Sequence, residues 1–456
     1  MSFFIREGQN KKLSGIKRKF SDKKSTKKFK KQPENEEISS DSDFESDQNN
    51  LNDAEESSED ENLTTQERRL KLAKVYLEEI KRQEEKRAEE KEFHESNVSQ
   101  RLKDDLLEQT GRLHKNIADT IDRVDVESIH RWKTKCNRDA VTCIVLSKDN
   151  DTLYSATKSG VITMYSLKTK QKTHSLPFKK VKEPQEKLHI RDLSISFDNK
   201  FLAVAQGKNI IIRDGKSLNE VHIFKGHSTD VTGVVFRQDS HQLFSCSNDR
   251  SVKVWSCDQM SYIETLFGHQ SGITSIDALF RERAITSGGY DCTLRVWKIP
   301  EDSQLIYNGH SGSIDCVKLI NEQTFVSGGN DGSLHVWGSM KKKPLCTIKN
   351  AHGIDSTNDL PNWIVCIAAL LNSDLVASGS YDGFIRLWKV TDSFRNMKQI
   401  LEIPVNGFVN QMMFSQNGDY LIAAIGREHR SGRWWNKTDA VNSVIIIPLV
   451  KKNKKN

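Results

Sequence analysis

One unit recurs along the second half of this chain with a period of about forty residues, and it constrains the fold more than any other feature. Gly226-His227 is followed by Asp249 and Trp255, Gly268-His269 by Asp291 and Trp297, Gly309-His310 by Asp331 and Trp337, and His352 by Asp382 and Trp388. The histidines stand 42, 41 and 42 residues apart, and Asp to Trp is six residues every time. Between them lie short alternating apolar runs, such as Val231 to Phe236 and Ser251 to Trp255, punctuated by the turns NDR, YDC, NDG and YDG. Such units are too small to bury an apolar face alone and must pack on their neighbours.

This pattern resembles the WD40 repeat, in which each unit builds one four-stranded blade of a propeller. The resemblance implies that the Gly-His loop, a Ser or Thr of the second strand, the turn Asp and the Trp form a buried hydrogen-bonded group. His227, Asp249, Trp255, His269, Asp291, Trp297, His310, Asp331, Trp337, His352, Asp382 and Trp388 are then structural. A buried His with an Asp partner is triad-like only when a nucleophile is presented to it, and the sequence has no GxSxG, P-loop or HExxH. No catalytic residue, metal ligand or cofactor is therefore assigned. Weaker units complete the ring: Val141 to Leu167 with Tyr165 at the Trp position, Ile190 to Asp214 with Arg213 there, and Phe408 to Leu449. That makes seven. ESIHRW, before the first unit, resembles NEVHIF, before the third. It reads as a lone outermost strand, Val126 to Arg131, that pairs with Val444 to Ile447 and closes the ring without an exposed sheet edge.

The rest of the chain is differently composed. Only 36 % of residues are apolar and mean hydropathy is −0.62. No apolar run approaches the roughly 20 residues of a membrane helix, and residues 1 to 8 lack a signal-peptide core. Eight scattered cysteines without a CxxC pair argue against a zinc or disulfide framework and for a reducing compartment. Residues 1 to 31 carry twelve Lys/Arg against Glu7 and Asp22, whereas residues 32 to 62 carry thirteen Asp/Glu and no Lys or Arg. Neither run can build a core, so 1–62 reads as a disordered leader whose basic half is a nuclear or nucleolar address. Residues 63–125 carry two helical stripes: Leu70, Ala73, Leu77 and Ile80, then Leu102, Leu106, Leu113, Ile117 and Ile121. Packing on the chain's own ring and seating in a partner's groove both remain open for them. The propeller is placed at 126–450, followed by a basic tail at 451–456.

Three departures from the repeat fall in loops that the WD40 topology puts on one face. Phe178 to Lys187 replaces a Gly-His loop, Gly353 to Asn362 enlarges another, and Gly426 to Asn442 is a long hairpin loop in the seventh unit. Residues 126 to 216 hold eighteen basic against nine acidic residues, while residues 300 to 340 hold Lys318 against five acids. A basic sector beside decorated loops is the footprint of a polyanion site. Its candidate RNA-binding residues are Arg427, His429, Arg430, Arg433 and Lys437 with Lys179, Lys180, Lys182 and Lys187. Trp434 and Trp435 either stack on an unpaired base or anchor the loop, and adjacent tryptophans favour anchoring.

Longer stretches carry a narrower resemblance. FGHQSGITSIDAL, RVWKIPEDSQL, GSIDCVKLINE, VSGGNDGSLHVWG, AALLNSDLVASGS and above all GREHRSGRWWNK are similar to the WD-repeat family of the U3 small nucleolar ribonucleoprotein. So are TTQERRLKLAKVYLEEIKRQEE and RLKDDLLEQTGRLHK ahead of the ring. The resemblance implies a nucleolar, non-enzymatic protein that binds the box B/C region of U3 RNA. It also implies the kink-turn-binding protein, other box C/D proteins and the small-subunit processome as partners, and support of early pre-rRNA cleavages, with no membrane or small-molecule substrate. The competing class is a WD40 adaptor that recognises protein, as a ubiquitin-ligase substrate receptor or chromatin reader does. RNA affinity would fall steeply with salt, and peptide affinity would not.

Overall fold

The computed structural model describes residues 71, 73–82, 101–103, 106–107, 114–125, 127–133, 140–176, 189–355, 358–391, 393–432 and 435–451. Residues 1–62 and the tail from 452 onward lie outside them. Residues 73 to 80 are helical, as the first stripe predicts, but Ile80 is buried whereas Ala73 and Leu77 are exposed. No helix is long and apolar enough to cross a membrane among the described residues.

From residue 121 onward, seven antiparallel sheets form the blades of a propeller. Blade 1 comprises Val141–Leu146, Thr152–Thr157, Ile162–Ser166 and Gln171–Leu176, from the innermost strand outward. Blade 2 runs from Ile190–Ile195 to Glu220–Phe224, and blade 3 from Val231–Phe236 to Ser261–Phe267. Blades 4, 5 and 6 begin at Ser275–Ala278, Ile314–Leu319 and Cys366–Ala369. Blade 7 takes Phe408–Phe414, Tyr420–Gly426 and Ser443–Lys451 from the end of the chain. The innermost strands of neighbouring blades touch all the way round, blade 7 against blade 1 included. Each seam is apolar because alternate residues of a strand face opposite sides of its sheet, so one blade's Val, Ile and Leu meet those of the next.

The four best repeats hold their blades by the same buried hydrogen-bonded chain. His227 Nδ1 lies 2.8 Å from Asp249, its Nε2 lies 2.8 Å from Ser245 Oγ, and Trp255 Nε1 donates to that hydroxyl at 2.8 Å. His269, Asp291, Thr286 and Trp297 repeat the geometry, as do His310, Asp331, Ser327 and Trp337. His352, Asp382, Ser378 and Trp388 do so in blade 6. Hydrogen bonding to the imidazoles holds the Asp249 and Asp331 carboxyls well below the usual carboxylate range, against the opposing effect of burial. Blade 2 has no such group: Arg213, at the Trp position, donates from Nη1 to the Leu218 carbonyl instead.

Ring closure differs in register and extent from the expected Val126 to Arg131 strand. His130–Lys133 pairs with Ser443 to Ile446, and a second segment, Ile121–Val124, pairs with Leu449 to Lys451 on the same strand. Val126 itself lies outside the described residues. Trp132 stacks on Tyr165 of blade 1 at 4.4 Å, as Phe224 stacks on Trp255 at 4.8 Å, so ESIHRW and NEVHIF occupy equivalent places. Ahead of this, residues 114–120 are not a continuation of the second helical stripe. They are irregular and lead into a short 3-10 turn at Ala118–Thr120. Lys115 bridges to Ser373, and Ile117, Ala118 and Ile121 join the core between blades 6 and 7. Apolar residues assigned to a helix face thus fill the seam of the ring.

Candidate nucleic-acid interface

The long loop of blade 7 emerges where the Tyr420–Gly426 strand ends. A Cβ on Gly426 would lie 2.7 Å from Asn410 Nδ2 and 2.8 Å from the Glu428 carbonyl, so only glycine fits this exit. Asn410, fully buried, donates to the Val141 carbonyl at 2.8 Å and the Glu428 carbonyl at 3.2 Å, and its oxygen accepts the Arg430 amide at 2.9 Å. One side chain therefore fixes the start of the loop and ties it to blade 1. The base is closed by Arg427, whose amide donates to Asn442 Oδ1 at 2.7 Å and whose Nε donates to the Ala440 carbonyl at 2.6 Å.

From there the loop spans the upper mouth of the ring. Glu428 pairs with Lys158 of blade 1 at 3.4 Å. Arg430 reaches blade 5, where Nη2 donates to the Asp315 carbonyl at 3.0 Å. Burial pushes the Asp315 carboxyl up to about 6, and the Arg430 charge partly offsets that rise. The same charge reaches Asp192, which accepts from Gln411 Nε2 at 3.2 Å and from the Val234 amide at 3.1 Å on the channel wall. His429 is buried and stacked on Trp363 at 5.0 Å. Desolvation, with Arg430, Lys158 and Arg191 nearby, pulls its imidazole down to about 3, so it is neutral at pH 7. On the returning arm, Trp435 packs on Tyr381 at 4.5 Å and Phe408 at 6.0 Å while remaining 38 % exposed. Lys437 donates to the Tyr381 carbonyl and lies over that ring, and burial lowers its pKa.

The structure thus brings Arg427, His429, Arg430, Trp435 and Lys437 into one loop but turns their polar ends largely toward the protein. Ser431 and Gly432 lead to the tip. Arg433 and Trp434 lie outside the described residues, as do Lys179, Lys180, Lys182 and Lys187. Sequence reasoning missed Asn410, Trp363 and Tyr381, which hold the loop. The polar pair Asn410-Gln411 inside the otherwise apolar strand FVNQMMF was the available signal. The adjoining loop into blade 6 is pinned by Asn362, which donates to the His352 carbonyl at 2.8 Å, and exposes Ile354 and Leu360. His310, Asp331 and His335 bring three metal-type ligand atoms within 4.8 Å of one another. They are engaged already: Ser333 and Thr347 lie 2.8 and 3.0 Å from the two ring nitrogens of His335.

A closed ring with buried His-Asp-Trp groups and its elaborations gathered on one mouth defines a WD40 propeller of the binding and scaffolding class. The model of the WD domain, G-beta repeat, matches residues 218–256, 260–298, 302–338 and 351–389. Human "U3 small nucleolar RNA-interacting protein 2" is 46 % identical over 393 residues, spanning 85 % of this chain and 82 % of that protein. The "Ribosomal RNA-processing protein 9" of Saccharomyces cerevisiae is 26 % identical, over 74 % and 76 % of the two chains. The solved "Structure of U3-55K" superposes with a TM-score of 0.68 at 44 % identity, covering 72 % of this chain and all of that one. The chain belongs to the family of U3 small nucleolar RNA-interacting WD-repeat proteins.

Proposed function

We propose that this protein is a non-enzymatic component of the U3 small nucleolar ribonucleoprotein, acting in the nucleolus in ribosome biogenesis. Its propeller binds the box B/C region of U3 RNA beside the kink-turn-binding protein and supports early pre-rRNA cleavages for the small subunit. The names of the relatives support U3 RNA and rRNA processing as the setting. The observation that carries the RNA reading is the anchored loop of blade 7. Its two arms are held by Asn410, Arg427 and Trp435, which lowers the ordering cost of those arms at binding. Arg433, between the two arms in sequence, suits phosphate, because its planar fork meets two oxygens at once. Arg430 and His429 act from beneath, by setting the height of the tip.

The test is fluorescence anisotropy of the full chain with a labelled U3 fragment that contains boxes B and C, across a salt series. Arg433→Ala should leave the melting temperature unchanged, weaken binding and flatten the salt slope by about one unit. Arg430→Ala should weaken binding and also lower stability, since it removes the bond to blade 5. An Arg433→Ala variant with unchanged affinity and slope would falsify the loop's part. A wild-type chain with no salt-dependent affinity would remove the RNA reading altogether.

A further inference from the structure

The outer edges of blades 7 and 1 form a second charged surface, away from the decorated mouth. Lys168 to His174 (KTKQKTH), covering the last turn and outer strand of blade 1, is a run of seven exposed residues without a carboxylate. On the adjoining outer strand of blade 7, Arg131 and Lys133 are exposed on either side of buried Trp132. These two edges are locked together: the Trp132 ring stacks on Tyr165, and its Nε1 donates to the Lys170 carbonyl at 3.1 Å. Lys168 is paired with Asp151 at 2.6 Å, but no described carboxylate pairs with Arg131, Lys133 or Lys170. Arg131, Lys133 and Lys172 thus stand on strands, and Lys170 closes the turn before the outer strand of blade 1, where its carbonyl is held by Trp132.

We propose that this edge is a second phosphate-binding surface, which grips the sugar-phosphate backbone of the RNA held by the blade 7 loop. The inference rests on the RNA-binding reading above and extends it to residues outside the loops. Arg131 with Lys133, and Lys170 with Lys172, are two residues apart. Strand geometry separates Arg131 from Lys133 by about 6.5 Å, so these two meet different phosphates and not a single group, while Lys170 stands in the turn that leads into the strand carrying Lys172. The contacts carry no base information; they position the RNA and supply salt-dependent affinity.

Lysines on outer strands have another use, since they discourage edge-to-edge pairing between sheets. That use does not distinguish the blades. The outer strands of blades 2, 3 and 4 (EVHIF, SYIETLF and SQLIYN) carry no Lys or Arg at all. Blade 5 supplies an internal control: Lys341, Lys342 and Lys343 are exposed on its outer strand. Their neighbouring blade 4 presents Glu301 and Asp302 at its last turn.

The experiment compares three full-length proteins for the same U3 fragment across a salt series. They are the wild type, a variant with Arg131→Gln, Lys133→Gln, Lys170→Gln and Lys172→Gln, and a variant with Lys341→Gln, Lys342→Gln and Lys343→Gln. The first variant should lose about tenfold or more in affinity at low salt, with its log-log salt slope flatter by about two to three units. The blade 5 variant should match the wild type in both. If the fourfold variant does not fold, Lys170→Gln with Lys172→Gln alone should flatten the slope by about one to two units. Equal affinity and slope for the blade 1 and blade 5 variants, with wild-type binding intact, overturns this surface and leaves the loop reading standing. Absence of RNA binding by the wild type overturns both.

Discussion

One oxygen of the Asp374 carboxylate accepts the backbone amides of Ile117 and Ala118, at 2.7 and 2.9 Å, across more than 250 positions of sequence. Asp374 is fully buried in the loop between the first two strands of blade 6, where the strap of residues 114–124 crosses on its way to blade 7. The carboxylate is the peg on which that strap hangs.

Asp374→Ala strands two buried amides and should lower stability by about 2–4 kcal/mol, since unsatisfied groups cost more than the bond they replace contributed. Deleting residues 1–113 should leave the unfolding midpoint unchanged. Starting the chain at Asn137, which removes the strap, both closing segments, half-buried Ile117 and buried Ile121 and Trp132, should make the ring insoluble or far less stable. Chemical denaturation of the two truncations separates these outcomes. Equal midpoints would mean that blade 7 does not need its outer strand.

In blade 3, Ser245 Oγ is the shared partner of His227 Nε2 and Trp255 Nε1. Ser245→Ala leaves both buried groups without it, at a cost of about 2–4 kcal/mol, whereas Ser245→Thr repeats the arrangement that Thr286 already makes in blade 4. Thermal unfolding of the pair should rank Thr well above Ala.

Acid should weaken the fold before the depressed carboxyls of its His-Asp groups titrate. Burial pulls His335 down from its ordinary 6.5 to about 4 and His429 to about 3. The unfolded chain then takes the proton first, so their contribution is complete above about pH 6.5 and declines as pH falls toward the folded values. Asp315, raised to about 6, runs the opposite way and offsets part of the loss below pH 6. Below about pH 4 the depressed carboxyls of Asp249, Asp291 and Asp331 add to the decline as they protonate. The melting temperature should therefore drop between pH 7 and pH 5, and drop less in His335→Gln. An identical pH profile for that variant would remove His335 from the account.

Cys292 sits at φ 56°, in the turn position that Gly332 and Gly383 occupy in the next two blades at φ 64° and 101°. Cys292→Gly should stabilise by about 0.5–1 kcal/mol, because relief of left-handed strain exceeds the added freedom of the unfolded chain. Urea unfolding reads the sign directly.

The repeat, its blade count and the lone outer strand were legible because each blade repeats one local solution, and period and turn residues report local structure. The strap was not. Ile117 and Ile121 are four apart and read equally well as a helix face, and the partners that hold them out of a longer helix, Asp374 and the Asn372 carbonyl that binds Lys115, are distant in sequence. The loop of blade 7 was legible as an insertion, but not in its internal wiring. Nothing near Arg430 in sequence announces the Asp315 carbonyl, and nothing near His429 announces Trp363. Charge counts likewise saw a basic sector without distinguishing the mouth of the ring from the edge where Lys168 to His174 lie.

The nine-residue strand Ser443–Lys451 has one edge filled by segments from the opposite end of the propeller. During synthesis those segments emerge more than 300 residues before their partner, which at about 5–20 residues per second leaves them waiting for tens of seconds. Six blades can form as they appear, whereas the seventh must be assembled from both segments after its last strand has been made. Until then the nascent ring is open, with unsatisfied strand edges on either side of the gap. Newly made protein is for that interval a client for chaperones and a candidate for exchanging end strands with a second copy, a hazard that vanishes once the circle shuts.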